Sequence, residues 1–404
     1  MVNDSNITAV VAGHLCLDIT PGFMNTTNKE LAEMISPGRT LTLSGVKIST
    51  GGVVSNTGLA LSVLGIPTKL MGKTGRDYFG DIVLQILKER GICDGIHVCG
   101  EAATSFSIVL APAGVDRMFL HEPGANALFD SGDIDYDIVA SASLFHFGYP
   151  TAMRNMYLDN GAELVKVFSS VKALNVVTSM DLSLPDAGSE AGKADWKCIL
   201  KSVLPYVDIF APSLEEIFYI LRNEEYNRLY RSFKGGDAVD ALDMNILQEL
   251  GCELLQLGVK IAVIKCGKKG YYIRTQKAEQ LTGLSKALPF DLRNWSGREL
   301  LEEAYHADTV VSANGAGDTS IAGFLASLMK GKSIEQSVKM ACATGSLCVQ
   351  AFDALSGIKP MEETEALIRK GWVKDRVKPD GSYWNYDSDR QVWVGRQDAL
   401  YIRK

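Results

Sequence analysis

Short apolar runs of β character alternate with helical patterns along most of this 404-residue chain, and that alternation restricts the folds open to it. Strand-like runs fall at residues 7–11, 144–147, 176–180, 207–211 and 261–265. Residues 56–64 carry a helical pattern that stops at Gly65. Asp77 precedes a second helix whose apolar face is Phe79, Ile82, Val83, Ile86 and Leu87, ending at Gly91. Such an order predicts an α/β fold, with a mostly parallel sheet covered by helices on both faces. Ligands of sheets of this kind bind at the carboxyl ends of the strands.

Two segments break the alternation. Residues 19–49 contain Pro, Gly, Asn and Thr before a short run at 40–48, and residues 103–121 read as strands 105–110 and 117–121 around Pro112-Ala113-Gly114. The tail from Gly371 ends in an aromatic hairpin, Ser382-Tyr383-Trp384-Asn385-Tyr386 and Gln391-Val392-Trp393-Val394, around Asp387-Ser388-Asp389. We expect it to pack on the domain or on a second subunit.

A net charge of −7 argues against general binding of nucleic acid or anionic membranes, though local amides can still hold a phosphate. No apolar run reaches the roughly 20 residues that span a bilayer, and no basic leader opens the chain, so a soluble cytoplasmic protein is expected. The eight cysteines never form C-x-x-C and several lie in apolar runs, as buried small hydrophobes do. The five histidines show no metal-binding spacing.

Chemistry concentrates at residues 307–329. A β-type run at 308–311 leads to Asn314-Gly315-Ala316-Gly317-Asp318 and then to a helix with Ile321, Phe324, Leu325 and Leu328 on one face, stopping at Gly331. Unpaired N–H groups and the dipole at a helix N-terminus attract anions. A carboxylate beside that anion site is the layout for phosphoryl transfer to an alcohol.

This stretch resembles the C-terminal signature of the ribokinase, or phosphofructokinase-B, family of carbohydrate kinases. The resemblance implies that Asp318 is the catalytic base and that the amides of Gly315, Ala316 and Gly317 hold the transferring phosphate. Where the family carries Asp-Thr-x before the turn, Ser312-Ala313-Asn314 stand here, which leaves dependence on a monovalent cation open. Further motifs follow in the family's order over roughly residues 7–360. Asp18 and the segment Gly51-Gly52-Val53-Val54-Ser55-Asn56 match acceptor-binding positions, which assigns substrate contacts to Asp18, Gly52 and Asn56. Relatives acting on sugar phosphates carry a lysine in that segment, whereas Val53 and Val54 favour an unphosphorylated acceptor. Gly72-Lys73-Thr74 suggests a P-loop, but Pro67 stands where that motif needs its first glycine, and Lys73 reads as a solvated residue. The segment matches the family's Gly-x-x-Gly-x-Asp-x-x-Gly pattern instead.

His146 and Gly148 follow a strand and could face the substrate, although His146 could equally be a satisfied strand-end histidine. Ser213-Leu214-Glu215-Glu216 resembles the family's Asn-x-x-Glu and makes Glu216 a magnesium-site residue, with Asp181 as a second. Lys265, Gly267 and Gly270 match the nucleotide-side turn, and the small residues around Ala343 could leave room for adenine or simply pack helices.

The resemblance implies a ribokinase-like three-layer sandwich with a small β-sheet lid, using ATP and Mg2+ to phosphorylate a hydroxymethyl group of a sugar or sugar acid. The implied division is a core of residues 1–18, 50–102 and 122–370, a lid of 19–49 and 103–121, and an extension from 371 to 404. A homodimer through the lid is a further expectation, since lid strands need covered edges. Two rivals remain at this point. One is a nucleoside kinase with Phe106, Phe119 or Tyr149 lining a base pocket. The other is a binding regulator that has lost turnover.

Overall fold

The computed structural model describes residues 7–23, 37–38, 40–110, 118–232, 244–379 and 382–402. Its main sheet has 11 strands in the order β14-β15-β13-β12-β11-β10-β9-β8-β1-β4-β5. From β5 (Ile96–Cys99) the sheet runs parallel through β4 (Thr68–Gly75), β1 (Ala9–Gly13), β8 (Leu144–Gly148), β9 (Val177–Met180) and β10 (Ile209–Phe210) to β11 (Ile261–Lys265). Beyond it, β12 (Tyr271–Thr275), β13 (Glu299–Glu302), β15 (Val392–Gly395) and β14 (Trp384–Asp387) pair antiparallel.

Successive side chains of a strand point to opposite faces, and β1 shows the consequence. Ala9 and Val11 enter one apolar cluster with the helices Val53–Val63 and Ala316–Met329, while Val10 and Ala12 enter a second with the helices Ala162–Ala173 and Leu214–Leu221. Both faces are therefore dry, as a parallel sheet requires. The first cluster is tight where the helices Ala316–Met329 and Ile334–Cys348 cross. A Cβ on Gly323 would lie 2.3 Å from the Thr344 hydroxyl, so only glycine allows that approach.

A second sheet of 4 strands has the order β3-β2-β6-β7: β3 (Leu43–Gly51), β2 (Cys16–Phe23), β6 (Phe106–Leu110) and β7 (Met118–Glu122). Asp18 lies inside β2, which leaves the main sheet directly after β1. The turn Pro112-Ala113-Gly114 lies outside the described residues.

Several expectations need correction. The run at 308–311 is not a strand but an exposed connection, with Val310 and Val311 67% and 49% exposed, because among the described residues no strand pairs with it. The helix expected at 56–64 starts at Val53, with Gly52 as its N-cap. The strand expected at 207–211 pairs only over Ile209–Phe210. Lys73 is not solvated: it is buried, donating to the Leu128 carbonyl at 3.0 Å and to Asp133 Oδ2 at 2.8 Å.

The tail hairpin extends the main sheet through β13–β15 pairing. It is pinned by Asp398, which accepts from Arg298 Nε at 2.9 Å and from the amides of Glu299 and Leu400, each at 2.8 Å. Arg298 also reaches Glu335 at 2.8 Å and the Asn294 carbonyl at 2.7 Å, so its buried charge is fully partnered. Among the described residues, no helix is long and apolar enough to cross a membrane.

Candidate active site

The site forms where β1, β8, β9 and β11 end against the N-terminus of the Ala316–Met329 helix. Gly315 is the N-cap with φ 74°, a left-handed backbone, and a Cβ there would meet the Ala354 Cβ at 2.3 Å. Both conditions require glycine. The turn delivers Asp318 to the first helical turn, 2% exposed. Its carboxylate is held from two sides. Asn56 Nδ2 donates to Oδ2 at 2.9 Å, and the Tyr149 hydroxyl lies 2.9 Å from each oxygen. Burial first, then the Asp318 charge, pushes the Tyr149 phenol well above its ordinary range, so it remains a donor.

Beside this carboxylate is a buried ionic cluster. Lys265, the last residue of β11, places Nζ 2.5 Å from Asp181 Oδ1, just past β9. A Cβ on Gly317 would lie 3.6 Å from the same Nζ, so the ammonium rests against the glycine turn. Glu216 joins from the Leu214–Leu221 helix, where its Oε2 accepts from the Ser213 amide at 2.7 Å in a capping box. Burial would by itself lower the Lys265 pKa, but Asp181, then Glu216 and Asp318, outweigh it and hold the ammonium charged. Three carboxylates share this one cation. Burial, together with the charges of Glu216 and Asp318, pushes Asp181 up to about 8 against the pull of Lys265. Asp181 Oδ2 is buried without a hydrogen-bond partner. An orphaned carboxylate oxygen in an acid-rich pocket suits a hard, oxygen-seeking divalent cation such as Mg2+. Among the described residues there is no group of three or more His, Cys, Asp or Glu arranged to hold a metal, so sparse protein ligation is all that this site offers.

Asp18 is 5% exposed and near enough to feel the Asp318 charge. The Cys16 thiol donates to its Oδ1 at 3.4 Å and Asn314 Nδ2 to its Oδ2 at 3.3 Å. Burial raises the Asp18 pKa, against the hydrogen bonds from Cys16, Asn314 and Ser107. Asn314 thus ties the glycine turn to Asp18, a link that sequence spacing did not signal. Gly52, with φ 83°, packs against His14: a Cβ there would meet its Nδ1 at 2.6 Å. His14 Nε2 lies 3.2 Å from His121 Nε2 on β7, and His121 Nδ1 lies 3.0 Å from the Ser107 hydroxyl on β6. Burial, then the neighbouring imidazole, pushes the His14 pKa down, so this pair bridges the two sheets as neutral rings.

His146 is wholly buried within β8, with Nδ1 2.9 Å from the Ser179 hydroxyl. Burial, then Lys265, lowers its pKa to about 3. Its Nε2 is buried without a hydrogen-bond partner. Gly148 is required because a Cβ would strike Val53 at 2.5 Å. Gly267 and Gly270 form the β11–β12 turn, both with positive φ. Ala343 is fully buried in the helix contact with Ala316–Met329 and presents no surface.

Known proteins resemble this chain in sequence and fold. A model of the pfkB family of carbohydrate kinases matches residues 16–360. The chain belongs to that family. A fructokinase-2 from Solanum habrochaites is 23% identical over 352 residues, covering 82% of this chain and 92% of its own. An uncharacterized sugar kinase from Archaeoglobus fulgidus is 25% identical over 301 residues, covering 74% and 98%. Among solved structures, Arabidopsis thaliana ribokinase complexed with ribose and ATP superposes with a TM-score of 0.64 at 20% identity, covering 90% of this chain and 99% of its own. Fructokinase with bound ATP from Xylella fastidiosa gives 0.63 at 19%, covering 90% and 98%. The fold is ribokinase-like, and this pfkB kinase is an ATP-dependent carbohydrate kinase.

Proposed function

We propose that this pfkB kinase transfers the γ-phosphate of ATP to a hydroxymethyl group of an unphosphorylated sugar or sugar acid. Asp318 is the base and the Gly315–Gly317 amides are the anion hole. The observation that carries this reading is the placement of the Asp318 carboxylate, buried and fixed by Asn56 and Tyr149, at the glycine-built helix N-terminus. Asp18 orients the acceptor by accepting from its hydroxyls. Asn56 acts through Asp318, which it holds in place. Lys265 lies against Gly317, where it can neutralise charge on the phosphate in transit. Asp181 and Glu216 would hold Mg2+, which supplies charge neutralisation for the nucleotide phosphates. A loose transition state asks mainly for alignment and charge stabilisation, and proton transfer to Asp318 completes the step.

Charge supports an acceptor without a phosphate. Besides burial, the main influences on Asp18 are Cys16, Asn314, Ser107 and Asp318, none of them cationic. Arg154 is engaged with Glu190 at 2.7 Å on the surface. The β2-β3-β6-β7 sheet serves as the lid, bringing Ser107 and His121 to the acceptor side. Its Val46, Ile48, Met118 and Leu120, 47–56% exposed, support association with a second copy through this face.

A nucleoside acceptor is the second reading. It is favoured by the rings of His121 and Tyr149, whose centroids lie 5.0 and 5.8 Å from that of His14. The deciding experiment measures phosphotransfer from Mg-ATP to fructose, ribose, gluconate, adenosine, uridine and fructose-6-phosphate. We expect a neutral or weakly acidic unphosphorylated compound to give the highest kcat/KM. A fastest reaction with the sugar phosphate would overturn this reading, and one with a nucleoside would install the second.

A further inference from the structure

Tyr149, the residue after β8, has φ 62° and ψ 41°, a left-handed backbone that bulky L-residues rarely adopt. A neighbouring sequence of ordinary backbone would have aimed this ring elsewhere. The unusual backbone instead delivers the phenol to Asp318, where one O–H lies 2.9 Å from both carboxylate oxygens. The proton stays on the phenol, because burial and the facing carboxylate disfavour its loss. Strained backbone of this kind is retained where the surroundings over-determine it, commonly for function.

An acceptor hydroxyl must come within hydrogen-bond distance of the base to surrender its proton. Asn56 already donates to Oδ2. The Tyr149 hydroxyl already lies 2.9 Å from both carboxylate oxygens, so an acceptor hydroxyl or a water molecule that approaches this carboxylate competes with it. We propose that Tyr149 is a gate on the base: its phenol fills the acceptor-hydroxyl position and blocks phosphoryl transfer to water until a bound acceptor displaces it. In the blocked reaction, a water oxygen would bond to the γ-phosphorus, the bond from that phosphorus to the ADP oxygen would break, and the water proton would pass to Asp318. A phenol in place of water prevents the attack while keeping the carboxylate hydrogen-bonded and aligned. This inference rests on Asp318 being the base.

The test is hydrolysis of Mg-ATP with no acceptor present, compared among wild type, Tyr149→Phe, Asp318→Asn and the double variant. Tyr149→Phe keeps the ring and loses only the hydroxyl, and its melting temperature and ATP KM report whether the fold and the nucleotide side persist. A purely structural role would move those two quantities and not the hydrolysis rate. We expect Tyr149→Phe to hydrolyse ATP at least about fivefold faster than wild type, with the double variant back at or below the wild-type rate. A Tyr149→Phe rate at or below wild type overturns the gate. If the double variant stays as fast as Tyr149→Phe, the assignment of Asp318 as base falls and the gate on it falls too, an outcome distinct from an unchanged Tyr149→Phe rate, which removes the gate alone.

Discussion

Replacing Lys265 by methionine removes the ammonium while keeping most of the side-chain volume, and its consequences separate structure from chemistry. Nζ lies 2.5 Å from Asp181 in a fully buried site, so the substitution strands a carboxylate among two others. Breaking a buried pair from one side costs roughly 3–5 kcal/mol. Asp181 can soften that cost by keeping a proton. Its folded pKa is about 8 with Lys265 present and must rise without it, against about 3.9 when unfolded. A folded pKa above the unfolded one gives stability that is complete below the unfolded value and lost as pH rises through the folded value. Wild type should therefore level off just above pH 8, while Lys265→Met keeps losing up to about 1.4 kcal/mol per pH unit. Urea unfolding at several pH values from 6 to 9.5 reads the gap directly. We expect about 3 kcal/mol near pH 7, widening towards pH 9.5. Adding Asp181→Asn should restore most of the stability and none of the turnover, which falls roughly 10²–10³-fold for loss of a charge at the transferring phosphate. A gap under about 1 kcal/mol, or one independent of pH, would refute the buried-pair reasoning.

Three further outcomes are expected. Asp318→Asn should lower kcat roughly 10²–10⁴-fold with ATP KM little changed; near-normal turnover in a folded variant would end the base assignment. Asp398→Ala takes one of two carboxylates from the buried Arg298 and should cost roughly 3 kcal/mol in urea unfolding, whereas an unchanged midpoint would mean that the tail does not anchor the sheet edge. His146, about 3 when folded and about 6.5 when unfolded, contributes stability present above the unfolded value and lost as pH falls towards 3, up to about 4 kcal/mol. His146→Asn should flatten that acid limb, and an unchanged slope would show that this histidine does not drive it.

Local chemistry was readable wherever it stays local. Asp77 caps its helix by accepting from the Gly80 amide at 2.9 Å, and the aromatic tail forms the expected hairpin. Each depends on residues within a few positions of one another, so spacing alone carries the signal. Lys73 was misread because its partner Asp133 lies 60 residues away. The exposed run at 308–311 was misread because β-branched side chains favour strands only when another strand pairs with them.

The candidate site divides along the same line. By itself, the sequence determined the glycine turn, the carboxylate that follows it and the order of motifs along the chain, because helix-terminus geometry and glycine's access to positive φ are properties of short segments. Only the tertiary structure decided that Asn56 and Tyr149 grip Asp318 across 262 and 169 residues, and that Lys265 faces Asp181 across 84. Those contacts exist because the parallel sheet brings the ends of β8, β9 and β11 to one edge. That convergence is set by strand order, which no local pattern encodes.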